Sequence, residues 1–554
     1  MSLTAVLTND FASNPPNEIN FNCLDDQCLS ILESLELATG LLATSSKEAT
    51  VRQTINILKK HWPRVWVWLA ALSKAFLKTS RLTSLGQETC LRLTQVAKTV
   101  FTYPMHAVAT ARPGEIPETK LKPLLDSTPE ILALAAELWL CASAHDLGGS
   151  AEAYLHVVGR MLDAQGMVPH PKTGMSYDSY SGRVMKELVN AVHWQRGSWD
   201  VPGTLIKTII RQLDHLSSES FRTVYYAVAF VNCLLREPQM GSLPLSKLIS
   251  HDAIRWVGAF LRRTVSDSVP ATLVEIDSTP RTRVVVECLV FFSFCLAADA
   301  LFAIQVVETG VLFSIFKARD LLIHDAIINS PNDSHTIACE SLLLFSALSK
   351  FSIYRPVLVR LVPWVNRVQS RRIDTFDDRG LVVCQSFLTS WDRLKELVSL
   401  RRSRKNQVET RAIRSKQKIC ENQEIGRQIR EGYFSRLPRA LDFIFIKDQF
   451  VSDLYHLNDW ITQHFKSWSS KTTTIPIIWI DYNGFPLIPQ AQSLEDSTKR
   501  LDELGWTDPA TYAMGFRMES EVLGVQRGCI SAVAVVPGMK KLPLVIGIAR
   551  TWDY

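Results

Sequence analysis

Residues 381–400 read LVVCQSFLTSWDRLKELVSL and residues 401–418 read RRSRKNQVETRAIRSKQK, so an apolar segment passes directly into a basic one. Helical periodicity dominates the chain before this junction, and nearly all of the strand signal follows it. Twelve Lys or Arg residues occur with only four Glu residues between Arg401 and Arg439. Residues 381–440 are therefore predicted to form a basic helical joint between two unlike halves, built as a continuous solvated helix.

The part of the chain before the joint, residues 23–380, is predicted to be an all-helical body. Apolar residues recur there at the i, i+3, i+4, i+7 spacing of an amphipathic helix. Helix pairs repeat about every 35 to 45 residues, the range of HEAT and armadillo stacks. A compact irregular helical domain is the alternative, because no repeated sequence signature marks the pairs. Pro63 is expected to start a new helix, since proline disrupts a helix interior.

The two ends of the chain differ from this body. Residues 1–22 are polar, contain a Pro-Pro pair and are predicted to be a disordered leader. Residues 441–554 predict a small α+β domain containing an antiparallel sheet, with Asn483-Gly484 as a hairpin turn after the strand Ile475–Tyr482. The predicted fold class is thus mainly α, a large multi-helix body with a small C-terminal α+β domain.

Composition limits the class of protein. The 554 residues are 47% hydrophobic and 21% charged, which predicts two to four packed domains rather than a disordered chain. The eleven cysteines form no CxxC motif and most lie in apolar helical context, so reduced thiols in an intracellular compartment, cytoplasmic or nuclear, are expected. The N-terminus lacks a basic n-region and predicts no signal peptide. The longest uncharged run of the most hydrophobic segment, Cys288–Ala298, is too short to span a bilayer, so no membrane contact is expected.

Motifs of common enzyme classes are missing. The sequence has no GxxxxGK[ST], no GxGxxG after a strand, no GxSxG and no HExxH. It does carry three His-Asp dipeptides in helical context, and imidazole and carboxylate groups are suitable ligands for a divalent metal. A metal-dependent hydrolase of the helical His-Asp type is therefore one alternative, with the candidate ligands His145, Asp146, His251, Asp252, His324 and Asp325.

The basic joint has three interpretations. It is a solvated helix between two domains, a nuclear-localisation or nucleic-acid patch, or a protein-interaction helix. No aromatic residue lies between Arg401 and Gly432, so a nucleic acid would be held there through its phosphates alone. The candidate interaction residues are Arg401, Arg402, Arg404, Lys405, Arg411 and Arg414.

Four stretches together resemble a group of proteins from mushroom-forming fungi that carry a MYND-type zinc finger. They are residues 61–68 (HWPRVWVW), the apolar helices from Val284 to Val368, residues 391–394 (WDRL) and residues 437–443 (LPRALDF). The resemblance implies a long helical body, a finger near residues 400–420, a short C-terminal domain and a protein-interaction role.

The zinc ligands that the resemblance implies are missing. A MYND finger needs seven Cys and one His, but Ser399–Glu424 contains only Cys420 and no His. No zinc or other cofactor is therefore expected, and the finger is lost or degenerate. The sequence favours a non-enzymatic helical scaffold that binds another protein. The metal-dependent hydrolase and a nuclear or nucleic-acid-associated regulator remain as alternatives.

Overall fold

The computed structural model describes most of the helical body, the joint helix and a sheet near the C-terminus. The described residues are 13–44, 48–109, 128, 130–164, 201–213, 217–236, 248, 252–266, 278–298, 300–328, 336–415, 477–481, 489–492, 496–497, 499, 529–536 and 544–551. Within them the chain forms sixteen helices and four strands, which confirms the mainly helical class. None of the helices in this part of the chain has the length and apolar character needed to cross a membrane.

The helices divide between two compact units. Unit 1 comprises Met1–Cys288 and Ile328–His335, and unit 2 comprises Leu289–Ile327 and Thr336–Tyr554. The helices before the division are α1 Asp26–Thr44, α2 Glu48–Lys78, α3 Ser84–Ala109, α4 Ile131–Ala144, α5 Gly148–Ala164, α6 Val201–Leu213, α7 Ser218–Arg236 and α8 Ala253–Thr264. The division falls inside α9 Ser278–Ala298. The later helices are α10 Ala300–Glu308, α11 Val311–Lys317, α12 Arg319–Ile328, α13 Ile337–Phe351, α14 Arg355–Ser370, α15 Asp378–Val383 and α16 Gln385–Ser415.

In unit 1 the helices pack mainly on helices one or two places away in the chain. The pairs α1–α2, α1–α3, α3–α5, α4–α5, α5–α7, α6–α7 and α6–α8 are all in contact. Arg92 on α3 donates to both carboxylate oxygens of Glu36 on α1, at 2.8 and 2.7 Å. Trp139 on α4 meets Phe230 on α7 edge-on, with ring centroids 5.2 Å apart. A bidentate ion pair thus joins α1 to α3, and an aromatic contact joins α4 to the more distant α7.

Two expectations about the N-terminal part need correction. Residues 13–22 belong to the predicted leader, yet Phe21 is buried and the indole Nε1 of Trp68 donates to the carbonyl of Ser13 at 3.0 Å. This part of the leader is ordered because the Phe21 side chain enters the core. Pro63 does not start a helix, since α2 runs through it. Burial of the stripe around it, including Val65 and Leu69, outweighs the hydrogen bond that proline removes.

Unit 2 is built around an aromatic cluster on three helices. Phe316 of α11 lies 4.7 Å from Trp391 of α16, and Phe345 of α13 lies 5.3 Å from Phe387 of α16, measured between ring centroids. All four rings are buried. The joint helix α16 is therefore part of this core and packs on α13 and α14.

The C-terminal sheet has four strands, β1 Ile477–Asp481, β2 Pro489–Gln492, β3 Cys529–Val536 and β4 Leu544–Thr551, in the order β2-β1-β3-β4. β1 and β2 pair antiparallel, which agrees with a hairpin. The Asn483-Gly484 turn lies outside the described residues and stays a prediction. The prediction of an antiparallel sheet is wrong for β1 and β3, which are parallel. The long chain between β2 and β3 permits this crossover. A separate domain over 441–554 stays a prediction.

Gly310 lies in the turn between α10 and α11 with φ +75°, a conformation that favours glycine. A Cβ at this position would lie 2.8 Å from Cη2 of Trp364 on α14. We therefore predict that Gly310→Ala lowers the free energy of unfolding by about 1–3 kcal/mol through backbone strain and steric overlap.

Gly40→Ala is the matched control for this substitution. Gly40 lies inside α1, and, apart from its own helix backbone and chain neighbours, no atom of the described residues lies within 4 Å of a Cβ added there. The control should raise the free energy of unfolding by about 0.5–1 kcal/mol, because alanine favours a helix interior. Urea unfolding of both variants measures the difference. Equal effects of the two changes would contradict the account of the Gly310 turn.

Candidate functional site

The predicted continuous helix of the joint is interrupted at Cys384, between α15 and α16, and residues 416–440 lie outside the described part of the chain. One face of α16 is buried. Buried side chains recur along α16 at intervals of four and three residues, and this stripe continues from apolar into basic sequence. Its members are Phe387, Trp391, Leu394, Val398 and Arg401. The prediction of a solvated helix is therefore wrong for this face.

Arg401 turns inward because it supplies donors to the end of another helix. The last four carbonyl groups of a helix have no partner within it. The guanidinium Nη1 of Arg401 donates to the carbonyl of Ser349 in the last turn of α13 at 2.6 Å, and also to the hydroxyl of Ser352. A cation is favourable at this negative end of the helix dipole. Arg401 and Arg404 are only 2% and 5% exposed, so both belong to the core.

The other candidate residues of the joint divide by exposure. Arg402 is exposed and Lys405 is half-buried. Arg411 and Arg414 lie on the last turns of α16, where the structure describes the backbone alone. The six candidates do not form one exposed basic face over the described side chains.

The His-Asp pairs are not brought together by the described part of the chain. The His145 ring approaches the Thr79 carbonyl at 3.1 Å, whereas the exposed Asp146 carboxylate lies 3.5 Å from Arg211. Asp252 is exposed at the start of α8, as expected for a helix N-terminus, and His251 lies outside the described residues.

The third pair separates its two side chains. His324 is exposed, whereas the Asp325 carboxylate is buried and accepts a hydrogen bond from the Ile337 amide at 2.7 Å. Asp325 therefore caps the N-terminus of α13. No group of three or more His, Cys, Asp or Glu side chains suited to a metal occurs among the described residues. The hydrolase alternative stays a prediction without geometric support.

The described cysteines resemble core residues rather than nucleophiles. Burial raises the pKa of Cys141 to about 12 and that of Cys384 to about 11. Burial also raises the pKa of the Cys90 thiol. These thiols are therefore protonated at neutral pH, and the thiolate is the nucleophilic form. The eight cysteines that the structure describes form no disulfide.

A different set of residues, which sequence reasoning missed, forms an exposed cationic site in unit 2. We name it the aromatic–arginine cluster: Phe313 and Lys317 on α11, Trp364 and Arg367 on α14, and Arg371 just after α14. The guanidinium Cζ of Arg367 lies 4.8 Å from the Phe313 ring centroid and 5.2 Å from that of Trp364. Arg371 Cζ and Lys317 Nζ lie 5.5 and 5.9 Å from the Phe313 centroid.

The cluster owes its geometry to helix spacing and to one glycine. Trp364, Arg367 and Arg371 follow each other at intervals of three and four residues, so they share one face. Trp364 lies against Gly310, where any side chain would collide with its ring. The rings of Phe313 and Trp364, 6.4 Å apart, then form a half-buried base beneath exposed arginines.

The charge of the two exposed arginines of the cluster is not balanced by a described carboxylate. Over the described residues, no Asp or Glu forms an ion pair with Arg367 or Arg371. Two acidic residues near the cluster in sequence are engaged elsewhere: Glu308 pairs with Arg360 at 2.7 Å, and Asp374 accepts from the Trp391 indole at 3.0 Å and lies 3.5 Å from Lys395. The cluster is thus a compact positive site on an aromatic base, suited to an anion.

Comparison with protein-family models finds no match, and comparison with curated proteins finds none. The resemblance to fungal MYND-finger proteins stays a prediction. Arguments about function consequently depend on the geometry of the site.

The buried guanidinium of Arg401 gives a stability prediction. Arg401→Ala should lower the free energy of unfolding by about 2–4 kcal/mol, because it removes the charged donor to the Ser349 carbonyl and the Ser352 hydroxyl and opens a cavity. Arg402→Ala, which removes the neighbouring exposed guanidinium, should change it by less than about 0.5 kcal/mol. Chemical denaturation monitored by tryptophan fluorescence measures both. An equally small effect for Arg401→Ala would show that its burial does not stabilise the fold.

Proposed function

We propose that this protein is a non-enzymatic helical scaffold that binds an acidic protein partner through the aromatic–arginine cluster. The observation that carries the proposal is the pair of exposed arginines, Arg367 and Arg371, on a half-buried aromatic base with no described carboxylate in ion-pair distance. Arginine and tryptophan are the residue types most enriched at binding hot spots.

The energetics favour a binding role over a purely structural one. Each exposed cation–π contact stabilises by about 0.5–1 kcal/mol, but two uncompensated arginines side by side also repel each other. An anionic partner removes that repulsion and gains charge-assisted hydrogen bonds. The rings restrict the arginine rotamers beforehand, so less side-chain entropy is lost on binding.

The architecture supports a scaffold. The helices of unit 1 from α1 to α8 pack mainly on helices one or two places away among those described, and such local packing supports the proposal of a stacked helical array. The resemblance to MYND-finger proteins adds a protein-interaction role. Burial of Arg401 and Arg404 does not favour the nucleic-acid alternative, because those guanidiniums are directed to the core.

The proposal predicts charge-dependent binding of an acidic probe. The full chain should bind a fluorescein-labelled oligo-glutamate peptide at low salt, and the affinity should fall toward physiological salt. Arg367→Glu combined with Arg371→Glu should weaken binding at least about tenfold, because both favourable charges become repulsive. Fluorescence anisotropy measures the dissociation constants.

Arg393→Glu is the control for net charge, since Arg393 is exposed on α16 and does not belong to the cluster. It should leave the affinity within about twofold of the unmodified chain. An equal loss for the control, or no loss for the double reversal, would contradict the proposed function. The unfolding midpoints of all variants show that the fold is retained.

A further inference from the structure

A ridge of exposed side chains runs along α14 and includes both arginines of the proposed site. Its members, which we name the exposed ridge, follow each other at intervals of four residues: Val359, Pro363, Arg367 and Arg371. Arg371 follows the last residue of α14 with φ -87° and ψ -3°, so the backbone keeps its helical course to the end of the ridge. Ridges of this spacing interdigitate in the commonest class of helix–helix packing. The opposite face of α14 is buried, at Leu358, Leu361, Val365 and Val368.

The two halves of the exposed ridge differ in chemistry. The first half is apolar and is formed by Val359 and Pro363. The adjacent Arg360 pairs with Glu308 at 2.7 Å, so its charge is compensated. The second half is formed by the two arginines, which have no ion-pair partner among the described carboxylates. A partner that lies along α14 therefore meets an apolar surface first and two positive charges further along the same line.

The spacing of the two arginines matches carboxylates that lie one helical turn apart. The guanidinium Cζ atoms of Arg367 and Arg371 both lie within 5.5 Å of the Phe313 ring centroid, so they are separated by at most twice that distance. Side chains at positions i and i+4 of a partner helix have Cβ atoms about 5–6 Å apart. Each guanidinium can then pair bidentately with one carboxylate.

The surface of α14 favours a helical partner over an extended one. An extended peptide gains affinity when its backbone pairs with an exposed sheet edge, whereas the backbone groups of a helix are bonded within the helix. A partner helix satisfies its own backbone and presents side chains at the four-residue interval of the exposed ridge. Burial of Pro363 costs no rotamer entropy, which makes the apolar half a favourable contact surface.

We propose that the partner docks on the exposed ridge with an amphipathic α-helix that presents two carboxylates one turn apart. The carboxylates pair with Arg367 and Arg371, and apolar residues on the adjoining turns cover Val359 and Pro363. This inference rests on the proposed acidic-partner function and adds the secondary structure and the residue pattern of the partner. Specificity then comes from the pattern, because an acidic segment without the apolar turns contacts only half of the ridge.

The test uses the full chain and three fluorescein-labelled peptides of equal net charge. The ridge peptide is a helix with two leucines and then two glutamates at successive four-residue intervals. The opposite-face peptide keeps the helix but moves both glutamates to its other face, and the proline peptide keeps the pattern but has a central proline that breaks the helix. Circular dichroism checks the helicity. Fluorescence anisotropy at low salt should show that the ridge peptide binds at least about tenfold more tightly than the other two.

A substitution in the protein tests the apolar half of the exposed ridge. Val359→Gln replaces an apolar contact with a polar amide, so it should weaken binding of the ridge peptide at least about threefold. It should leave the affinity for the oligo-glutamate peptide within about twofold, because the arginines are unchanged. Val382→Gln is the matched control, since Val382 is 77% exposed on α15 and lies outside the ridge. The control should leave both affinities within about twofold.

Each other outcome has a definite consequence. Equal binding of the ridge and opposite-face peptides, or of the ridge and proline peptides, overturns the helix proposal. If that binding is lost in the Arg367→Glu and Arg371→Glu double reversal, the acidic-partner proposal stands. Ridge-peptide binding that ignores the double reversal overturns both proposals. Equal effects of Val359→Gln and Val382→Gln overturn docking along the ridge. Tighter, arginine-dependent binding of a single-stranded DNA oligomer assigns the site to nucleic acid instead.

Discussion

Near the C-terminal end of α13, the carbonyl of Ser349 accepts hydrogen bonds from the guanidinium of Arg401 on α16 and from the hydroxyl of Ser352. The contact with Arg401 links the basic half of the joint helix to α13 and to the aromatic cluster formed by Phe316, Phe345, Phe387 and Trp391. A hydrogen bond from a charged donor stabilises by about 1.5–3 kcal/mol, so this contact holds the α13 end and the joint helix together. The apolar and the basic parts of the sequence therefore share one continuous buried face of α16. Its side chains are apolar before Arg401, and at Arg401 the face continues with a hydrogen-bonded guanidinium group.

In unit 1, a second buried arginine donates a hydrogen bond to a carbonyl group at a helix end. Arg281 is buried, and its Nη2 donates to the carbonyl of Thr264, the last residue of α8, at 2.7 Å. Burial lowers the pKa of this guanidinium, which nonetheless stays charged because arginine has so high a pKa. The arginines of this chain thus have separate roles. Some donate to carbonyl groups at helix ends in the core, and those of the aromatic–arginine cluster are exposed on the surface.

Much of the helical architecture could be predicted from the sequence, because apolar stripes at helical spacing predict burial well. Leu344 and Leu348 of α13 and Leu358 and Leu361 of α14, for example, recur at helical spacing and are all buried. Strand pairing could not be predicted as well. The parallel contact between β1 and β3 depends on a long crossover, and local sequence carries no signal for it.

The candidate site was harder to predict for two physical reasons. A basic run is typical of a solvated face, and nothing in residues 401–405 shows that a distant helix end would accept Arg401. The aromatic–arginine cluster joins α14 to Phe313, far away in sequence. Part of its signal was nevertheless present, since Arg360, Trp364, Arg367 and Arg371 recur at intervals of four, three and four residues.

The central claim is that the guanidinium groups of Arg401 and Arg404 on α16 are buried in unit 2, whereas those of Arg367 and Arg371 are exposed to solvent. Modification of the native full chain with phenylglyoxal, followed by peptide mass spectrometry, tests it directly. The account predicts rapid modification of Arg367 and Arg371, with Arg402 as the exposed reference on α16, and protection of Arg401 and Arg404 until the chain is unfolded. Modification of Arg401 and Arg404 at the rate of Arg402 in the native chain would contradict it.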